Sequence, residues 1–382
     1  MKTHRLTKLT ALTLIFAVCA MFALPGFASA AAETAINTEE LFTDRDLSQT
    51  ADLTDAVYYT VTDGQDIHIT AEGVYVLTGT AADVTVYVEA EDTAKVQLVL
   101  DGVSITNADF PCIYATGADK VFVTVSGDST LAVTGAFTSD GDTNTDGVIF
   151  SRADLTLNGT ASLTVSSTDN GVVCKDDLKI TGGTYDITAA SKAFEANDSI
   201  RIADGVFTVS AGTDGFHAEN DEDDTKGYIC IEGGSFTITA GDDAIHAVSV
   251  VQIDGGAMDI TASEGIEATY IQLNDGVISI TASDDGINAA QKSSAYRATV
   301  EINGGDITVA MGAGDTDGID SNGDIVVNGG TVNVTGNSTF DCDGSAQYNG
   351  GTIIVNGQQV DSIPNQMMGG MGGRGSRGGW GW

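Results

Sequence analysis

Basic residues are scarce in this 382-residue chain: 16 Lys+Arg stand against 54 Asp+Glu. Three of the 16, Lys2, Arg5 and Lys8, lie in the first thirty residues, which hold no acid. The remainder carries 13 basic and 54 acidic residues, a net charge of −41. Such a chain repels nucleic acid and anionic membranes; it favours cations, or anions reached through cations. Proline is rarer still, with three residues. With 42% apolar content in regular alternation, that scarcity argues against a disordered polyelectrolyte. Beyond residue 30 there are four cysteines, Cys112, Cys174, Cys230 and Cys342, without metal-type spacing. No zinc site is read, and their wide separation gives no evidence for a disulfide. Convincing long helices are missing, and no later stretch is long and apolar enough to span a membrane.

Residues 1–30 have the form of an export signal: a basic start, an apolar run from Leu9 to Leu24, and the small-x-small site Ala28-Ser29-Ala30. Secretion is expected, with retention at the cell surface left open. Residues 31–60 are irregular and read as a lead-in covering one end of the fold. Short β-branched runs bounded by Gly, Asp or Asn then begin, as in Ile67-His68-Ile69-Thr70 and Val84-Thr85-Val86-Tyr87-Val88. Residues 61–360 form one such domain. The stretch 361–382 is a tail too Gly-rich to hold a structure, and is read as disordered.

From Asp154 onward the chain repeats. A turn pair returns at Gly182-Gly183, Asp204-Gly205, Gly233-Gly234, Gly255-Gly256, Asp275-Gly276, Gly304-Gly305, Gly329-Gly330 and Gly350-Gly351. The steps are 22, 29, 22, 20, 29, 25 and 21 residues; both steps of 29 contain an insertion, Glu219-to-Gly227 and Gln291-to-Ala298. A period near 22 with three short strands per unit predicts an all-β, right-handed parallel β-helix, a solenoid with three strands per coil. Coils stacked in register then make the alignment readable. Phe207, Phe236, Met258, Ile278, Ile307 and Val332 form one inward row; Phe216, Ile245, Ile266, Ile287, Ile319 and Phe340 form another.

The third strand of each unit is an acidic phrase, as in Asp284-Asp285-Gly286-Ile287-Asn288-Ala289. Its glycines, Gly215, Gly265, Gly286 and Gly318, are read as turn residues. Its acids stack: Asp214, Asp243, Glu264, Asp285 and Asp317 in one column; Glu267, Asn288, Asp320 and Asp341 in another, with Asp242 and Asp284 beside them. Carboxylates about 4.8 Å apart repel by roughly 1 kcal/mol per neighbour even in water. A ladder of them needs protons or a cation, and oxygen ligands from adjacent coils suit Ca²⁺. The plainer alternative is a solvated acidic edge. His217 and His246, poor calcium ligands, pair with acids or favour a transition metal. Asp142 to Gly147 opens like a calcium loop, but Ala153 stands where the closing Glu belongs. After the Gly turn, rows of short polar residues that include Thr237 and Thr239 offer hydrogen bonds to a sugar, or are ordinary strand surface. Tyr228 and Tyr270 begin equivalent strands two coils apart, a candidate stacking pair for an extended glycan.

The phrases Phe42-Thr43-Asp44-Arg45-Asp46, Leu100-Asp101-Gly102-Val103-Ser104-Ile105, Cys174-Lys175-Asp176-Asp177-Leu178 and Asp284-Asp285-Gly286-Ile287 resemble a family of bacterial secreted carbohydrate-binding β-helix proteins. The resemblance runs from Phe42 to Gly357. It implies a pectate-lyase-like fold, calcium binding, and a polysaccharide partner that is acidic or cellulose-like. Asn170 and Lys192 depart from the acidic pattern. The resulting expectation is a monomeric, calcium-dependent, non-catalytic binder of acidic polysaccharide. The alternatives are a polysaccharide lyase, with Lys192 or Arg201 as base, and a cell-surface adhesin or spacer.

Overall fold

The computed structural model describes residues 35–312 and 316–364. The export signal and most of the Gly-rich tail lie outside the described residues. Among the described residues, one helix, Asp44–Leu47, accompanies 36 strands. The strands fall into three series along each repeat. The first series precedes the Gly turn, as in Tyr228–Ile231; the second follows it, as in Ser235–Ala240; the third carries the acidic phrase, as in Asp243–Ala247. Every third strand along the repeats pairs in parallel: Ile229 with Val251, Phe236 with Met258, Ile245 with Ile266. The third series forms a sheet of twelve strands; the other two share a sheet of 24. They are joined by two long strands, Gly73–Ala82 and Lys95–Asn107, which bend through Gly79 (φ 96°) and Gly102 (φ 70°).

The second residue of each turn pair has positive φ, from 73° at Gly330 to 152° at Gly205, which explains glycine there. Residues alternate inward and outward along each strand, and inward side chains from all three series join one core. Both predicted apolar rows are buried in it. Phe207 stacks on Phe236 at 4.6 Å, and Phe194 on Phe216 at 4.8 Å. Packing of like on like is what in-register parallel pairing imposes. At the first-series turn it also builds a ladder of side-chain amides. Asn349, Asn328 and Asn303 each donate to the asparagine one coil earlier, at 2.7–2.8 Å. Cys112, Cys174 and Cys230 are buried free thiols, and Cys342 is buried as well.

The lead-in differs from the expected end cap. Residues 35–49 cross the outer face of the first-series strands. The backbone N–H groups of Ala35 and Ile36 donate to Gln272 (2.9 Å) and Gln252 (2.7 Å). Asp46, fully buried, lies 2.6 Å from Lys120 Nζ and 3.5 Å from Lys179 Nζ, and accepts a hydrogen bond from Thr156 at 3.0 Å. Burial opposes its charge, but the bonds from Lys120 and Thr43 prevail and hold its carboxyl well below the usual range. Val57–Thr60 then pairs with Tyr75–Thr78 as the first strand of the large sheet. The lead-in is therefore a strap ending in a strand.

Candidate functional site

The fifth position of the acidic phrase is one column that runs the length of the third series. It begins upstream of the recognisable repeats. His68 pairs in register with Tyr87, Tyr87 with Tyr114, Tyr114 with Phe150, and Phe150 with Val173. Val173 then leads to Glu195, His217, His246, Glu267, Asn288, Asp320 and Asp341. The column changes chemistry twice.

Its first part is aromatic. His68 stacks on Tyr87 at 4.7 Å, and Tyr114 meets Phe150 edge-on at 5.7 Å. Tyr114 and Phe150 are buried, and the Tyr114 hydroxyl donates to Asp140 at 3.0 Å.

In the middle, acids are matched by bases. Glu195 lies 2.8 Å from Lys175 and 3.4 Å from Lys192. Burial works against its charge, yet the lysines hold its carboxyl below the ordinary value. His217 Nδ1 is 2.8 Å from Asp214 and its Nε2 3.1 Å from Glu219; its ring stacks on His246 at 4.6 Å. His246 Nδ1 lies between Asp243 (2.5 Å) and Glu267 (3.1 Å), and Lys292 reaches Glu267 at 2.6 Å. Burial alone would lower the His246 pKa, but hydrogen bonds to Asp243 and Glu267 raise it to about 9. His246 is thus an imidazolium at neutral pH. That charge and Lys292 already neutralise this group of ligands.

Among the described residues, the last part has acids without bases. Carboxylate oxygens of Asp317, Asp320 and Asp341 lie within 4.8 Å of one another. Burial, then the charges of Asp285 and Asp317, pushes the Asp320 pKa up to about 7. Burial also lifts Glu264 to about 7, although Asn288 donates to it at 3.0 Å. Asp285 accepts from the Asp317 backbone N–H at 3.0 Å. Asp317 Oδ1, Asn288 Oδ1 and the hydroxyls of Thr316, Ser338 and Thr339 are buried without a protein hydrogen bond. Oxygens buried and unpartnered beside repelling carboxylates form the donor set that a hard cation satisfies. Asp285, Asn288, Asp317, Asp320 and Asp341 therefore fit calcium better than the base-matched Asp214, Asp243 and Glu267. Asp242 and Asp284 are exposed at the edge of the column.

The remaining site residues do not converge. Lys192 flanks the twelve-stranded sheet, whereas Arg201 sits in the large sheet, 2.7 Å from Asp177 and over the Tyr228 ring at 5.4 Å. Tyr228 and Tyr270 are half-buried in the first series, and the Tyr270 hydroxyl donates to Glu301. Thr237 and Thr239 are exposed on the second series. The tyrosines and threonines thus belong to different faces. Two features went unread in the sequence. Asp154, Asp176 and Asp177 bring carboxylates within 4.8 Å at a corner between sheets; burial, then Asp154 and Asp198, raises Asp176 to about 6. The insertion Glu219-to-Gly227 walls a cleft of about 720 Å³ over Glu195 and His217.

The chain is all-β, built of stacked parallel strands, with one outward column graded from aromatic to acidic. Its fold is similar to that of a polysaccharide lyase-like protein from C. thermocellum, solved as a gadolinium derivative. That similarity has a TM-score of 0.52 and 31% identity, covering 55% of this chain and 92% of the other. More particularly, the chain belongs to the carbohydrate-binding domain-containing protein family, whose model matches residues 63–316 and 266–362. A carbohydrate-binding domain-containing protein of Acetivibrio thermocellus is 36% identical over 130 residues, which are 33% of this chain and 46% of that relative. The match spans under half of the relative's length.

Proposed function

We propose that the chain is a secreted right-handed parallel β-helix that binds an acidic polysaccharide through calcium without cleaving it. The observation that carries this reading is the base-free end of the acidic column, with its buried, unpartnered oxygens at Asn288 and Asp317. Family membership supplies the carbohydrate. The net charge of −41 supplies the need for a cation, since a polyanion cannot otherwise approach this surface. Calcium held by Asp285, Asn288, Asp317, Asp320 and Asp341 would offset these charges and leave coordination positions for uronate oxygens. The described solenoid and the strap form one monomeric binding domain in this reading. The test is a titration of polygalacturonate into the mature chain with calcium and with excess chelator. Binding that disappears with chelator, and with D317N/D320N, supports the proposal. Undiminished binding in chelator overturns the calcium bridge.

The lyase reading rests on the polysaccharide lyase-like structural neighbour. Lys192 and Arg201, bound in separate ion pairs on different sheets, make a poor base for it. Appearance of unsaturated-sugar absorbance during incubation with polygalacturonate would reinstate it.

A further inference from the structure

The acid column turns basic at one coil. Lys192 takes the place that Asp214, Asp243, Glu264, Asp285 and Asp317 hold on later coils, and it opens onto the 720 Å³ cleft. That volume lies within the range of small-ligand sites, roughly 300–1,000 Å³. Three of the 13 basic residues beyond residue 30 converge here: Lys175, Lys192 and Lys226. Their inner partners are two carboxylates. Glu195 takes Lys175 and Lys192, and Asp198 takes Lys226. Both carboxylates are well covered, with side chains 15% and 17% exposed, whereas Asp221, Glu222 and Asp223 line the exposed rim. Glu219 also lines the cleft, 3.1 Å from His217 Nε2, so the three ammonium groups stand among carboxylates and make no net positive wall. Lys192 makes only a long 3.4 Å contact with Glu195, which already has Lys175 at 2.8 Å. Its donors are incompletely used.

We propose that this cleft is a subsite for one uronate residue of an acidic glycan. In it, Lys192 and Lys175 receive the sugar carboxylate, and Glu195, Asp198 and Asn197 receive hydroxyls. A saccharide suits the wall because each hydroxyl both donates and accepts, and the wall alternates ammonium with carboxylate. A carboxylate suits the Lys192 donors that the long contact to Glu195 leaves unused. The cleft adjoins a second one of about 420 Å³ that also uses Lys175 and Asn197 and adds Arg152 and Phe150. The two give room for a neighbouring sugar. The inference rests on the proposed binding of acidic polysaccharide and adds its carboxylate anchor, separate from the calcium ligands.

The experiment is calorimetric titration of tri-galacturonate, and of its methyl ester, into the mature chain at saturating calcium. The variants are K175M/K192M, K175R/K192R and D317N/D320N. For K175M/K192M the expected result is at least a tenfold loss of affinity for the acid, no loss for the ester, and an unchanged calcium titration. K175R/K192R, which keeps the charges, retains most of the binding and so excludes misfolding as the cause. If K175M/K192M binds the acid as the unaltered chain does, the subsite is overturned while calcium-dependent binding stands. If the unaltered chain binds neither tri-galacturonate nor polygalacturonate, both proposals fall.

Discussion

Asp320 shows how one position in a repeat acquires different chemistry on successive repeats. Glu267 and Glu195, at the same register as Asp320, are held charged by Lys292, His246, Lys175 and Lys192. Asp320 is not, and burial, then Asp285 and Asp317, holds it near 7 against an ordinary 3.8. Burial does the same to Glu264, from 4.5 to about 7. Between the two values the folded chain holds protons that the unfolded chain has released. Without calcium, stability should therefore fall as pH rises from about 4 to 7, the reverse of a salt-bridged carboxylate. Thermal unfolding of the calcium-free chain at pH 5 and pH 7.5 checks this. A lower Tm at pH 7.5 is expected, and D320N should flatten the difference by removing one titrating group. Equal slopes for D320N and the unaltered chain would show that Asp320 titrates normally.

At the scale of the element, stacking makes some residues legible and hides the reason for others. The apolar rows and the acid columns were readable because parallel pairing in register repeats the same environment every coil. The phrase glycines were found but misread as turns. Gly215, Gly265, Gly286 and Gly318 lack positive φ; their Cβ positions would strike the next coil. A Cβ on Gly265 would lie 2.3 Å from the Gly286 carbonyl oxygen and 2.6 Å from Ile280 Cγ2. Gly265→Ala should thus cost at least about 1–3 kcal/mol, the usual penalty of overpacking, measured by urea denaturation. A cost within about 0.5 kcal/mol would mean that the corner relaxes freely. Two other elements left no periodic trace. The strap is fixed by single contacts such as Asp46–Lys179, between residues 133 apart, which no repeat can reveal. The aromatic part of the column lies where long strands and loops break the 22-residue step, so no regular spacing links Tyr87, Tyr114 and Phe150 to Glu195.

For the molecule as a whole, a charge of −41 poses two problems that respond to different remedies. Charges spread over the surface are screened by ordinary salt, over about 10 Å at 0.1 M ionic strength. Carboxylates stacked about 4.8 Å apart and partly buried are nearer than that length and are screened little. A bound divalent ion acts on the second problem alone. Calcium at a hundredfold excess over its Kd should stabilise the fold by about 2.7 kcal/mol, which for a chain of this size raises Tm by about 5 °C. Sodium chloride of equal ionic strength should raise it far less. The comparison is a thermal scan at pH 7.5 with calcium chloride at about 10 mM, a hundredfold over a Kd of about 0.1 mM at the tighter end of extracellular calcium sites, against sodium chloride of matched ionic strength. D317N/D320N should lose the calcium response while keeping the response to sodium, because the substitution removes the site but only two of 54 acids. An equal rise with both salts would reduce the acidic column to a solvated edge. A calcium response that survives D317N/D320N would move the ion to the other cluster of three carboxylates, Asp154, Asp176 and Asp177.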